Sequence, residues 1–235
     1  MLFYQGVTLM NYYKWKGIID YLFALLMLIA GLPIYILIAL LIKWQDPKGP
    51  VLFKQQRLGK DEKMFTLYKF RSMRVETHRK GIELTDSERL FSVGRFIRKM
   101  SLDELPQLIN ILEGNMSFIG PRPLPKEYLP YYTDQERKRH DVKPGISGWA
   151  QVNGRNNLIW EKKFELDVYY TQNMCLLFDT KILLMTIKKV LSGSDVIEYE
   201  YDTSKELTDY RSKNRTTVQQ QTTLSKYREK GNSYE

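Results

Sequence analysis

The chain has little cysteine and little histidine. Cys175 stands alone among 235 residues, which excludes an internal disulfide framework and a cysteine-based zinc site. His78 and His140 are the only imidazoles, too few for a histidine metal cluster. Acid is also in short supply: 27 Asp and Glu face 36 Lys and Arg, a formal net charge of +9. Such a balance points to an anionic partner, whether nucleic acid, phosphorylated metabolite or lipid headgroup. There is no recognition-helix motif and no zinc finger, so no nucleic acid partner is expected. Internal repeats are absent as well. What is there suffices for a core: 43% of residues are apolar, and the length suits one main domain with appendages.

One long apolar run exists, Ile18 to Ile42, and its only charge is Asp20. At about 1.5 Å per residue it is long enough to cross a hydrocarbon core of about 30 Å. No small-residue cleavage site follows it, so it does not read as a removed signal peptide. Pro33, preceded by Gly31 and Leu32, breaks it in the middle by removing an amide and clashing with the carbonyl of Ile29. Lys14 and Lys16 precede the run, and Lys43, Lys48, Lys54 and Arg57 follow it. Positive charge on both flanks conflicts with a simple crossing. A helix that bends at Pro33 and leaves by the face it entered resolves the conflict; an ordinary kinked span is the alternative. Tyr12, Tyr13, Trp15 and Trp44 suit the headgroup region in either case.

The motif that draws attention is Arg98-Lys-Met-Ser-Leu-Asp-Glu-Leu-Pro-Gln-Leu, with Asp103 and Glu104 adjacent. Helix-start signals converge here. Ser101 and Glu104 have capping-box spacing, whereas Pro106 favours a later start with Asp103 as N-cap. The two acids therefore either cap a helix that runs to about Glu113, or form a nucleophile beside a metal-binding carboxylate.

Cations surround this motif in sequence. Val51 to Gln55 and Met64 to Met73 read as strands, and on the second Lys69 and Arg71 share a face, either as a diphosphate clamp or as a solvated surface. The Gly120-Pro-Arg-Pro turn projects Arg122 from fixed backbone, a phosphate contact or simply a surface arginine. Ser92 to Met100, Tyr128 to Val142 and Glu161 to Asn173 read as helices, the last burying Phe164, Val168 and Tyr169. Glu76 to Glu88 is a loop or short exposed helix. Leu176 to Leu191, apolar with interspersed lysines, either lies on a membrane surface or packs inside.

With these residues in view, the chain resembles the bacterial sugar transferases, the monotopic phosphoglycosyl transferases acting on polyprenol phosphate. The markers run from about Lys14 to Val190. They are Lys69-Phe-Arg-Ser-Met, Arg98 with Ser101-Leu-Asp-Glu-Leu-Pro-Gln, Gly114-Asn-Met-Ser-Phe-Ile-Gly-Pro-Arg-Pro, the segment Arg139 to Arg155, and Phe164-Glu-Leu-Asp-Val-Tyr-Tyr. The small size is similar to the PglC-like branch. The resemblance implies transfer of a sugar 1-phosphate from a UDP-sugar, in particular an N-acetylated amino sugar such as N,N′-diacetylbacillosamine, to undecaprenyl phosphate. It implies Mg²⁺, membrane lipids and downstream glycosyltransferases as partners, and a cytoplasmic-face site at the membrane. Carried over by position, Asp103 is the nucleophile and Glu104 the Mg²⁺ ligand. Lys69, Arg71, Arg98, Arg122 and Arg155 are substrate-binding candidates, and Asp167 is a motif residue without a role. Leu32 departs from the family, where Ser often precedes the helix-breaking proline.

The expected fold is α+β and mainly helical: a leader (1–13), a re-entrant Pro-kinked membrane helix (14–43), a catalytic domain with a β-hairpin and surface amphipathic helices (44–195), and a polar, disordered tail (196–235). The rival classes are a non-catalytic membrane scaffold and a membrane-associated phosphohydrolase. Glucose, galactose or N-acetylgalactosamine donors are the alternatives within the favoured class.

Overall fold

From Leu2 to Gln45 the chain is helical except at one residue. Helices α1 (Leu2–Ala30) and α2 (Leu32–Gln45) meet at Gly31. The chain is described here from a computed structural model covering residues 2–79, 81–154, 158–192 and 207–212. Pro33 falls in the first turn of α2, where a missing amide breaks no bond, so the proline restarts the helix instead of interrupting it. The two axes bend by 62°. Leu32 supplies no hydroxyl at this break, and another residue does so. The Tyr35 ring folds back over Gly31 and its hydroxyl donates to the Met27 carbonyl at 3.0 Å. A Cβ on Gly31 would lie 2.5 Å from that ring, so the glycine makes room for it. Among the described residues no single helix is long and apolar enough to cross a membrane, but the bent pair Tyr12–Ala30 and Leu32–Gln45 passes that test together. The expected leader is helical from Leu2 and continuous with α1.

After a turn at Asp46 to Pro50 comes an antiparallel hairpin of β1 (Leu52–Leu58) and β2 (Met64–Phe70), paired from Leu52↔Phe70 to Leu58↔Met64. Period-two alternation sends Phe65, Leu67 and Lys69 to one buried side. A small hairpin, β3 (His78–Arg79) with β4 (Ile82–Glu83), and the short exposed α3 (Asp86–Arg89) occupy the stretch expected to be a loop or short exposed helix. Then follow α4 (Ser92–Lys99), α5 (Gln107–Leu112) and β5 (Ser117–Ile119). The expected helix from Tyr128 to Val142 is broken into three: a 3₁₀ turn Lys126–Tyr131, α6 (Asp134–Arg137) and a 3₁₀ turn Lys138–His140. Pro130 and the Thr133–Glu136 capping box, which restarts the chain at α6, account for the breaks. The strand β6 (Gly145–Ser147) pairs in parallel with β5. Helices α7 (Trp149–Val152), α8 (Trp160–Asn173) and α9 (Leu176–Ser192) complete the domain, which is mainly helical with short strand pairs.

On α8 the buried residues include Phe164, Val168 and Tyr170, while Tyr169 is exposed, one residue off the expected face. Helix α9 packs inward on one face and leaves apolar side chains exposed on another. Asp179 and Ile182 pack inward, while Leu177, Leu184 and Leu191, two turns apart, stay exposed. Of the polar tail, expected to be mostly disordered, residues 207–212 are described. They are helical, Leu207 is buried against Tyr128 and Trp160, and Arg211 pairs with Glu136 at 2.6 Å. The rest of the tail lies outside the described residues.

Asn110 on α5 joins helix to hairpin. It is fully buried, its Oδ1 accepts from the Tyr68 amide (3.1 Å), and its Nδ2 donates to the Thr66 carbonyl (2.7 Å). A side-chain amide thus satisfies the outer edge of β2 as a neighbouring strand would. Asn110→Ala is expected to cost about 1–3 kcal/mol by leaving these backbone groups unpaired, measured by denaturant unfolding. His140 gives a second expectation. Burial, with the Arg139 charge beside it, depresses its pKa to about 3, against a partly opposing hydrogen bond to the Gly59 carbonyl. The unfolded chain takes up this proton near pH 6.5 and the folded one does not. Stability conferred by neutral His140 is complete above pH 6.5 and is lost as pH falls toward 3, by at most about 1.4 kcal/mol per pH unit. His140→Gln removes that slope; parallel stability–pH curves for the two proteins would refute it.

Candidate active site

Helix α4 ends at Lys99, and the chain turns sharply at Ser101, whose φ of 54° is left-handed. A non-glycine residue there is strained by roughly 1–2 kcal/mol. The turn feeds a single 3₁₀ turn, Leu102–Glu104, after which Leu105 and Pro106 lead into α5. Both capping expectations are therefore corrected. No side chain caps either start; Ser101 makes the turn, and Asp103 and Glu104 sit within the helical turn that follows it. Asp103 is 8% exposed.

Glu104 gathers cations from two separate segments. Lys69 Nζ lies 3.3 Å from Glu104 Oε1, and Arg122 Nη1 donates to the same oxygen at 3.2 Å. Lys69 arrives from the buried side of β2, in line with Phe65 and Leu67, so it is not the solvated strand face that was the alternative. Arg122 arrives from the turn after β5. That turn is tied down by the Gly120 amide to the Ser147 carbonyl (2.9 Å) and the Gly145 amide to the Pro121 carbonyl (3.0 Å). A Cβ on Gly145 would meet the Gly120 amide nitrogen at 2.1 Å, so the two segments approach this closely only because Gly145 is glycine.

The other expected residues are placed differently. Arg71 is corrected: it does not join Lys69. It lies just beyond the end of β2, and its guanidinium is spent on the α2–β1 turn. It pairs with the Asp46 carboxylate, and donates to the Asp46 carbonyl at 2.7 Å and the Pro50 carbonyl at 2.5 Å. Burial raises the Asp46 carboxyl, but the Arg71 bond and charge outweigh it and hold it below the usual range. Arg98 is anchored through Nε on Ser72 Oγ at 2.8 Å, which ties α4 to the segment following β2. Arg155 lies outside the described residues. Asp167 is buried on α8 and pairs with Arg139 at 2.7 Å. Arg139, Ser72 and Asn110 had not been singled out. The signal for Arg139 was an acid at Asp167 on an otherwise buried helix stripe, which demands a cation without saying which.

Chemically, the site offers a buried carboxylate next to a second carboxylate whose charge is countered by two cations. Among the described residues there is no cluster of three or more His, Cys, Asp or Glu able to hold a metal. The donor set thus fits only an ion that takes one or two carboxylates and completes its shell with substrate phosphates and water, as Mg²⁺ does.

Comparison with known proteins identifies the family. The model of the family described as Bacterial sugar transferase matches residues 11–193. The uncharacterized sugar transferase EpsL of Bacillus subtilis is 53% identical over 160 residues, covering 68% of this chain and 79% of that protein. The galactosyl transferase CpsE of Streptococcus agalactiae is 37% identical over 202 residues, 79% of this chain and 45% of that protein. The UDP-glucose:undecaprenyl-phosphate glucose-1-phosphate transferase of Escherichia coli is 41% identical over 184 residues, 72% of this chain and 39% of that protein. The chain thus spans most of the Bacillus relative but less than half of the other two. Matched along 11–193, with Lys69 and Arg122 of its motifs brought to the Asp103–Glu104 turn, the chain belongs to the bacterial sugar transferase family.

Proposed function

We propose that this protein transfers a sugar 1-phosphate from a UDP-sugar to undecaprenyl phosphate, releasing UMP, at the cytoplasmic face of the membrane. The observation that carries this reading is Asp103, buried beside a Glu104 whose carboxylate is held by Lys69 and Arg122. The names of relatives support the reaction class: glucose 1-phosphate transfer in Escherichia coli, N-acetylgalactosamine phosphate transfer in Aeromonas hydrophila, galactose phosphate transfer in Salmonella typhimurium. The donor of this chain is either one of these or an N-acetylated amino sugar such as N,N′-diacetylbacillosamine.

In the proposed mechanism an Asp103 oxygen attacks the phosphorus that carries the sugar. The bond from that phosphorus to the bridging oxygen breaks, and the electron pair leaves with UMP. A phosphate oxygen of undecaprenyl phosphate then attacks the same phosphorus and frees the Asp103 carboxylate. Arg122 and Lys69 hold Glu104 in place and offer positive charge to the diphosphate, where negative charge develops. Mg²⁺, held by Glu104, would supply further charge neutralisation at the donor phosphates. The protein-bound intermediate lets a water-soluble donor and a lipid acceptor use one site in turn. The bent α1–α2 pair, read as a re-entrant membrane segment, and the exposed leucines of α9 would hold that site at headgroup height.

The following outcomes test this. UDP-sugars screened with undecaprenyl phosphate should yield UMP with at least one donor. That donor alone should leave a phosphosugar mass on wild-type protein and none on Asp103→Asn. A fully active Asp103→Asn variant rules out the covalent route. Glu104→Gln should lose most turnover and also about 1–3 kcal/mol of stability, because the charged contacts of Lys69 and Arg122 to its carboxylate are lost. Single cysteines near Tyr12 and Trp44 should both resist a membrane-impermeant reagent in intact cells; labelling at only one end means a crossing helix.

A further inference from the structure

Asp167 is the only acid among the buried residues of α8, between Phe164, Val168 and Thr171. A lone carboxylate there would be costly, and Arg139 compensates it. Arg139 Nε (3.1 Å) and Nη2 (2.7 Å) both donate to Asp167 Oδ2. Nη1 lies 3.5 Å from the Tyr132 hydroxyl, and the guanidinium sits within 6 Å of the Tyr132 and Phe164 rings. Desolvation pushes the Asp167 carboxyl up and would lower the Arg139 pKa, but Asp167 keeps the guanidinium protonated and its pKa raised.

One Arg139 bond leaves this cluster. Nη2 also donates to the backbone carbonyl of Arg122 at 2.7 Å. Arg122 lies between Pro121 and Pro123, which fix the torsions on either side and exclude helical backbone at Arg122 itself. Beta-strand contacts hold the turn before Arg122, as described above, and Arg139 holds it after. From a backbone held on both sides, the Arg122 side chain reaches Glu104 through Nη1.

We propose that Asp167 and Arg139 are positioning residues for the transferase reaction: by fixing the Arg122 carbonyl they set where the Arg122 guanidinium stands against Glu104 and the donor diphosphate. The inference rests on the functional reading above. It gives a role to an acid that contacts neither Glu104 nor Lys69 in the bonds described.

The test uses the full chain in membranes or detergent. Asp167→Asn keeps the shape and removes the charge. Arg139→Met with Asp167→Leu removes both charges, a replacement that buried ion pairs often tolerate without loss of stability. Each is made alone and with Arg122→Ala. The expected result is a kcat for UMP release lowered about 10- to 100-fold with donor KM changed less, since small misplacements cost rate. Hydrogen exchange at the Gly120, Arg122 and Leu124 amides should rise in both; the double replacement should hold its melting temperature, whereas Asp167→Asn, which leaves the Arg139 guanidinium buried beside a neutral partner, should lower it. In the Arg122→Ala background the same changes should cost little more. Near-normal kcat in a stable variant overturns the proposal, and so does an equal loss with and without Arg122. If both variants unfold, Asp167→Glu keeps the charge and displaces it; undiminished kcat there also overturns it. Absence of UMP release from wild type with every donor would instead sink the functional reading, while exchange at residues 120–124 still reports whether the pair holds the turn.

Discussion

Two cations from distant segments converge on one oxygen of Glu104, and much of the domain can be understood as what brings them there. Lys69 needs β2 to run beneath α5, and Asn110 secures that by completing the free edge of the strand. Arg122 needs a rigid turn after β5, which β6 and the Arg139 guanidinium hold from two sides. The acid needs the left-handed turn at Ser101, without which α4 would carry the chain past the site.

The same constraint recurs through the molecule. This is a basic protein that buries several cations, and each buried cation has been given a carboxylate. Arg71 has Asp46, Arg139 has Asp167, and Lys16 has Asp179, with Asp20 one helical turn along. Burying a charge without a partner costs far more than these contacts return, so the pairs specify neighbours more than they add stability. Lys16 and Tyr12 on α1 both bond Asp179 on α9, which ties the apolar N-terminal helix to the helix with the exposed leucine stripe.

The bend at Gly31 illustrates substitution of one device for another. Leu32 has no hydroxyl to offer the broken backbone, and Tyr35 reaches back over the glycine to bond the Met27 carbonyl. The cost falls on Gly31, which can carry no Cβ beneath that ring.

The sequence alone carried the elements with strong periodicity or punctuation. The apolar run and its break were legible because a proline is tolerated only in a helix's first turn, so Pro33 marks a restart, and α8 and α9 because their patterns are long. The Asp103–Glu104 motif, Lys69 and Arg122 were legible as types of chemistry in a family pattern. What sequence could not decide was partnership, since a cation two residues along a strand looks the same whether it faces substrate or a turn. Lys69 and Arg71 were indistinguishable until the ladder ended at Phe70 and sent Arg71 to Asp46. Capping signals at Ser101 and Asp103 were overridden because the turn after α4 had to be left-handed, a requirement set by where α4 and α5 pack. The role of Asp167 depended on Arg139, 28 residues away, and only the folded chain brings such residues within 3 Å of each other.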